Sequence, residues 1–183
     1  MSFEFDALGW TTLLVSFGFT FGANYAGAIA MAADPKLRWY RWLRKPSFVP
    51  SGQHVAWLFG IAWFLISAAS GLAIYLAIIQ NQSNFWAYQL GIAAYWATLF
   101  LGIVWAGVFF VGHALGAALL VLFLELLLAV LTTICLFFVY NVAGFLMLPL
   151  DIWLFYAMML NVWLHFLNRG RKMAITSVPA RKV

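Results

Sequence analysis

Five stretches, each of about twenty or more mainly apolar residues, follow one another along this chain, and each is long enough to cross a bilayer. They run over Leu8–Ala33, His54–Ile79, Phe85–Val111, Ala114–Val139 and Gly144–Leu167. Breakers separate them. Asp34-Pro35 ends the first, and Gln80-Asn81-Gln82-Ser83-Asn84 divides the second from the third. Gly112-His113 divides the third from the fourth, and Asn141 to Gly144 divides the fourth from the fifth. No apolar/polar alternation competes with a helical reading, and a helix satisfies its own backbone groups in lipid. The expected fold is therefore all-α, an integral membrane bundle of five transmembrane helices. The expected organisation is one domain over residues 1–168 with an interfacial connection at 34–53, followed by a basic tail over 169–183. Composition agrees: 66% of the 183 residues are apolar and 8% are charged, too few to coat a soluble domain.

The charges give an independent count of the spans. All ten Lys and Arg fall in two places. Lys36, Arg38, Arg41, Arg44 and Lys45 occupy the first connection; Arg169, Arg171, Lys172, Arg181 and Lys182 occupy the tail. With five spans both clusters lie on one side, which the positive-inside rule makes cytoplasmic, with the N-terminus outside. A bacterial inner membrane is the expected location. The net charge of +5 thus records topology and contact with anionic lipid, and it points away from nucleic acid. The acidic start, Met1 to Asp6, lacks the basic region of a cleavable signal. Cys135 is the only cysteine, so no internal disulfide forms; deep in an apolar run it reads as a small apolar filler.

The first connection interleaves aromatic and basic residues: Leu37-Arg38-Trp39-Tyr40-Arg41-Trp42-Leu43-Arg44-Lys45-Pro46. It is expected in the interface, with rings inward and charges toward headgroups. Two readings are open, a membrane anchor and a lid over a pocket between helices. Lys45-Pro46 followed by Pro50 stops the helix and forces an extended turn.

Polar groups inside spans need partners or a function. Glu125 falls midway along the fourth span, and Asp151 just inside the outer end of the fifth, where a wet helix N-terminus favours a negative charge. Gln89, Asn24 and Asn161 read as buried amides that hydrogen-bond between helices. Gly18 and Gly22, continued by Ala26 and Ala30, form a small-residue stripe expected at a helix–helix contact, as do Gly102 and Ala106. His54, His113 and His165 fall at the basic ends of helices. A neutral imidazole there is able to hold a haem iron or a chlorophyll magnesium, but no spacing pairs the three. No catalytic triad and no metal cluster is visible, so neither a catalytic residue nor a protein-held metal is expected.

Three motifs, in order along the first connection, the third span and the fifth, resemble those of the TspO/MBR family (tryptophan-rich sensory proteins and translocator proteins, once called peripheral benzodiazepine receptors). Trp39-Tyr40, Leu43, Lys45-Pro46 and Pro50 resemble its WYxxLxKPxxxP signature; Gln89-Leu90, Trp96 and Phe100 its QLxxNxxWxxxF; Pro149, Trp153, Ala157 and Leu160-Asn161 its PYxxWxxxAxxLN. The resemblance covers about Gly18 to Asn168. It implies a five-helix, usually dimeric protein. The family's aromatic pocket, beneath the first connection, takes porphyrins, sterols or synthetic ligands. Carried onto this sequence, the pocket walls are Trp39, Phe59, Trp63, Trp96, Trp153, Ala157 and Leu160. Departures accompany the match. The family asparagine is Ala93, the following proline is Thr98, and Ser51 replaces the second proline of the turn. Phe59 replaces a pocket tryptophan and Trp63 a tyrosine; Leu150 and Val162 each stand for a tyrosine.

The reading that follows is a membrane protein binding a tetrapyrrole or another flat apolar ligand, with a transport, sensing or regulatory role. Porphyrin, haem, a bacteriochlorophyll-type pigment or a sterol-like lipid are the ligands considered. The competing reading is an accessory subunit or assembly factor of a larger photosynthetic or respiratory membrane complex, favoured by the lost pocket residues. Porphyrin breakdown is implied by the resemblance alone, and no proton-transfer constellation supports it. Expected partners are the lipid bilayer, the flat ligand, and either a second copy in a homodimer or the subunits of a complex.

Overall fold

The computed structural model describes residues 10–18, 20–22, 38–47, 53–80 and 85–170, with side chains described at all of these but 38, 41 and 53–59. Among them there are helices and no strand. Helix α1 covers Trp10–Gly22. A short α2, Arg38–Trp42, lies in the first connection. Among the described residues four helices are long and apolar enough to cross a membrane: α3 (Gln53–Ile79), α4 (Phe85–Ala106, prolonged by a π-turn over Gly107–Val111), α5 (Leu115–Val139) and α6 (Asn141–Asn168). Asn24, the Pro50-Ser51 turn, the side chains of His54 and Phe59, and the basic residues from Arg171 onward lie outside the described residues.

The helices close into a ring. Helix α4 runs along α5, α5 along α6, and α6 along α3. Helix α1 completes the circle. A Cβ on Gly71 of α3 would stand 3.5 Å from Phe17, and the hydroxyl of Thr20 shares a hydrogen bond with the Tyr95 phenol of α4. What faces outward identifies the surroundings. Phe100, Phe138, Phe145 and Ile152 are each more than 60% exposed, the inverse of a water-soluble surface, so lipid is the solvent. Inward hydroxyls turn back on their own helices: Ser70 donates to the carbonyl of Ile66, Thr98 to Ala94 and Thr132 to Leu128. Such bonds help a small polar side chain sit in an apolar bundle, and Ser70 also reaches the Tyr95 phenol of α4.

Two apolar clusters fill the ring. The larger joins α3–α6 through Ala73, Ile74, Ala77, Tyr95, Leu122, Ala129, Leu136, Ala143, Met147 and Leu154. The smaller lies at the basic end, where Trp39 and Leu43 of the first connection meet Ala106, Phe109, Phe110, Ala118 and Leu164.

The two turns between the last three spans are tighter than their sequences suggest. At the α4–α5 turn the Gly112 amide donates to the Gly107 carbonyl (2.9 Å), closing the wide π-turn, and His113 takes a positive φ of 52°. Histidine is among the side chains that tolerate this region better than most. A Cβ on Gly112 would lie 2.9 Å from the Val108 carbonyl oxygen, so glycine suits the reversal. The α5–α6 connection is Tyr140 alone, in extended conformation. The fifth span therefore starts at Asn141, not at Gly144. Gly144 is not a breaker: its missing side chain leaves room for the Phe137 ring, which a Cβ would meet at 2.5 Å.

Candidate functional site

At the basic end of the bundle a set of specific contacts is built around the first connection. Trp39 is buried, stacks on His113 at 4.4 Å and meets Phe109 edge-on at 5.3 Å. Tyr40 leans on Phe109 and Phe110, and the Lys45 ammonium sits 4.4 Å above the Tyr40 ring. Burial pushes the Tyr40 hydroxyl above its ordinary pKa, with Tyr156 adding to the rise, so the phenol stays neutral at physiological pH. One side chain ties this segment to the far end of the chain. Asn168, at the last turn of α6, accepts from the Arg44 amide at 2.9 Å and donates to the Arg44 carbonyl at 2.9 Å. The same amide nitrogen also reaches the Leu164 carbonyl at 2.9 Å. Asn168 is buried, so these bonds are shielded from water. The first connection is thus a cap pinned over the helix ends. Beneath it Trp105 stacks on Phe109 at 5.2 Å, and Phe109 meets Phe110 edge-on at 4.8 Å.

The aromatic residues expected to line one pocket are distributed over three places. Trp63 and Trp153 meet edge-on at 5.8 Å and, with Ala157, border the larger cluster. Trp39 and Leu160 belong with the cap. Trp96 sits against Tyr95 at 5.8 Å but faces outward, where it lines an open groove of about 520 Å³ with Val15, Gly18, Gly22, Leu99, Phe100 and Ile103. A second open hollow, about 380 Å³, lies between α5 and α6 beside Gly116, Phe123, Met158 and Val162. Neither is under the cap, where Trp105, Phe109 and Phe110 occupy the space.

The polar and small residues also depart from expectation in instructive ways. Gln89 is exposed on the first turns of α4, because the inner face of that helix runs through Gly91, Ala94, Tyr95 and Thr98. Asn161 is buried, yet its amide donates to Ala157 in its own helix (3.3 Å) and not across to another. Asp151 is not at a helix N-terminus, since α6 begins at Asn141; it is half-buried and accepts from Thr133 of α5 at 2.7 Å. Glu125 is 5% exposed, and a Cβ on Gly102 would fall 2.9 Å from its Oε1. Gly102 therefore makes room for a carboxyl from the neighbouring helix, and Ala106 is buried one turn on. At Gly18 and Gly22 a Cβ would meet no atom within 4 Å, and both border the open groove instead of a helix within the described residues. A glycine contact that pattern reading passes over is Gly91, whose Cβ would meet Cys135 at 2.9 Å. Gly116 likewise admits the ring of His165, at 3.2 Å. Among the described residues no group of three His, Cys, Asp or Glu side chains comes together.

Comparison with known proteins places this arrangement among relatives. The model of the TspO/MBR family matches residues 10–167. Protein CrtK of Rhodobacter capsulatus is 35% identical over 156 residues, covering 80% of this chain and 88% of the relative. Tryptophan-rich protein TspO of Archaeoglobus fulgidus is 32% identical over 145 residues, covering 79% and 89%.

Proposed function

The chain belongs to the TspO/MBR family, and from that premise we propose that it is a membrane sensor or regulator that binds a flat apolar molecule, of the tetrapyrrole class, beneath the first connection. It is a multi-pass membrane protein. The observation that carries the ligand reading is the cap itself. A segment packed on the bundle through Trp39, Tyr40 and Leu43 is also pinned by the buried Asn168, over Trp105, Phe109 and Phe110. Flat aromatic faces stacked in a low-dielectric layer suit a planar guest, which gains most of its affinity by burying its faces. Because side chains fill the space under the cap, binding requires the cap to lift and the rings to turn. The pocket proposed is bounded by Trp39, Trp63, Trp153, Ala157 and Leu160, with Phe59 on the second span.

The test is porphyrin titration of the reconstituted protein, followed by tryptophan quenching, on wild type and Trp153→Ala. Saturable micromolar-range quenching that is lost in the variant is the expected result; a linear, non-saturating response of wild type to porphyrin and to a linear tetrapyrrole alike removes the reading. One observation favours a second reading, an accessory subunit of a membrane complex. The groove at Gly18 and Gly22 is open, apolar and edged by Trp96 and Phe100. Native mass in mild detergent separates the two, since co-purifying subunits go with the second. The basic end is proposed to be cytoplasmic. Reporters fused at the C-terminus and within residues 80–84 are expected to report opposite sides.

A further inference from the structure

Three buried polar atoms lack a hydrogen-bond partner in one region of the bundle: Trp105 Nε1, Glu125 Oε2 and Asn161 Oδ1. They come from α4, α5 and α6, which pack in that order. At about 1.5 Å per residue, Trp105 and Asn161 lie at similar depths, about 9 Å from Val111 and about 10 Å from Asn168, and Glu125 lies about one turn deeper, about 15 Å from Leu115. The region is also where the two apolar clusters meet. Trp105 borders both. Asn161 stands between Ala157, which borders the larger cluster, and Leu164 of the smaller. The Glu125 carboxyl is lodged against Gly102, one turn from Trp105 on the same helix. The Asn161 amide orientation is not arbitrary, because its nitrogen donates to the Ala157 carbonyl and its oxygen is the atom left over.

Leaving a buried donor or acceptor unmade is costly, and the cost is greatest in an apolar interior. Trp105 offers an N–H donor and Asn161 a carbonyl acceptor; Glu125 offers an acceptor, or a donor when protonated. The complement of that set is a group presenting a carbonyl oxygen and an N–H side by side. We propose that Trp105, Glu125 and Asn161 form a polar seam that recognises the cyclic-amide (lactam) edge of a flat ligand lying between the two clusters. The proposal rests on the reading of the protein as a binder of flat apolar molecules, and it names the chemistry that such a ligand carries. A macrocyclic porphyrin does not offer this edge, because its N–H groups turn into the ring centre.

The experiment compares two probes in lipid nanodiscs. Biliverdin, a linear tetrapyrrole, has lactam edges; protoporphyrin has none. Wild type is expected to bind biliverdin at least about tenfold tighter than protoporphyrin, the worth of one to two well-made hydrogen bonds. Trp105→Phe and Glu125→Leu are each expected to weaken biliverdin about tenfold and to leave protoporphyrin within about twofold, each losing a hydrogen bond that only biliverdin makes. Glu125→Gln, which keeps an acceptor and a donor, is expected to restore biliverdin affinity. Equal affinities for the two probes in wild type, or variants that bind biliverdin unchanged, overturn the seam while leaving the family-type binder intact. Failure of both probes to bind wild type overturns both. Should Glu125→Leu not fold, dicyclohexylcarbodiimide decides the matter on wild-type protein. Biliverdin is expected to protect Glu125 from labelling, and labelling at the same rate with and without biliverdin overturns the seam.

Discussion

The two apolar clusters are built by different means. The larger one brings helix backbones close together through small residues: Ala73, Ala77, Ala129 and Ala143 are fully buried, and Gly91 lies against Cys135. In lipid, where apolar side chains gain little by leaving one apolar solvent for another, close backbone approach and dispersion are what hold helices together. The smaller cluster also holds two buried alanines, Ala106 and Ala118, but adds the rings Trp39, Phe109 and Phe110, which meet face to edge. It sits at the basic end, under a segment to which Asn168 contributes reciprocal hydrogen bonds. The first arrangement is hard to open, because any separation forfeits many contacts at once. In the second, a single substitution at Asn168 removes both of its hydrogen bonds to the Arg44 backbone. A protein that must admit a guest is expected to open where a local change releases a segment without separating helices, and the cap offers such a place.

The contrast is broken most severely at Gly91. Gly91→Leu forces α4 away from α5, with an expected loss of about 3 kcal/mol or more and little folded protein in detergent. A melting temperature unchanged from wild type would show that the larger cluster is not closed by backbone approach. An intermediate and local effect is expected of Asn168→Ala. It removes both cap bonds, about 2 kcal/mol together, and is expected to speed trypsin cleavage after Arg44 about tenfold or more while the helices stay intact. Equal cleavage rates would mean that the rings alone hold the cap. His113→Ala removes the stack on Trp39, about 1 kcal/mol, and should raise cleavage only a few-fold. The smallest effect belongs to Thr133→Val, which deletes a single bond to Asp151 and should cost about 0.6 kcal/mol, as is usual between transmembrane helices. A loss as large as that of Gly91→Leu would make the Thr133–Asp151 pair, and not small-residue contact, the main tie between α5 and α6.

The span limits are legible because hydropathy acts locally: a run of apolar residues declares a crossing whatever its neighbours are. The α4–α5 break at Gly112-His113 is visible for the same reason, as a small and a polar residue in an otherwise unbroken run. The α5–α6 break is misplaced by such a reading, because Asn141 and Gly144 look like breakers but begin a helix. Tyr140 alone makes the turn, and Gly144 serves Phe137. Candidate site residues are harder to read. The family motifs point to Trp63 and Trp153, which meet, and to Trp96, which faces the outer side of α4. Spacing along one helix cannot say which of its faces the ring of helices will enclose.

By itself, the sequence determined a membrane solvent, the order of the spans, most of their limits and the family. Each of these follows from composition, length or a linear motif. Only the tertiary structure decided which polar groups find partners. Asn168 reaches Arg44 across 124 positions of sequence, Asp151 reaches Thr133, and Glu125 fits against a glycine on another helix. Those pairings depend on how helices turn about their own axes and at what depth they meet. Because the bilayer is apolar all round, hydropathy says when a helix must be inside it and almost nothing about which way each side chain faces.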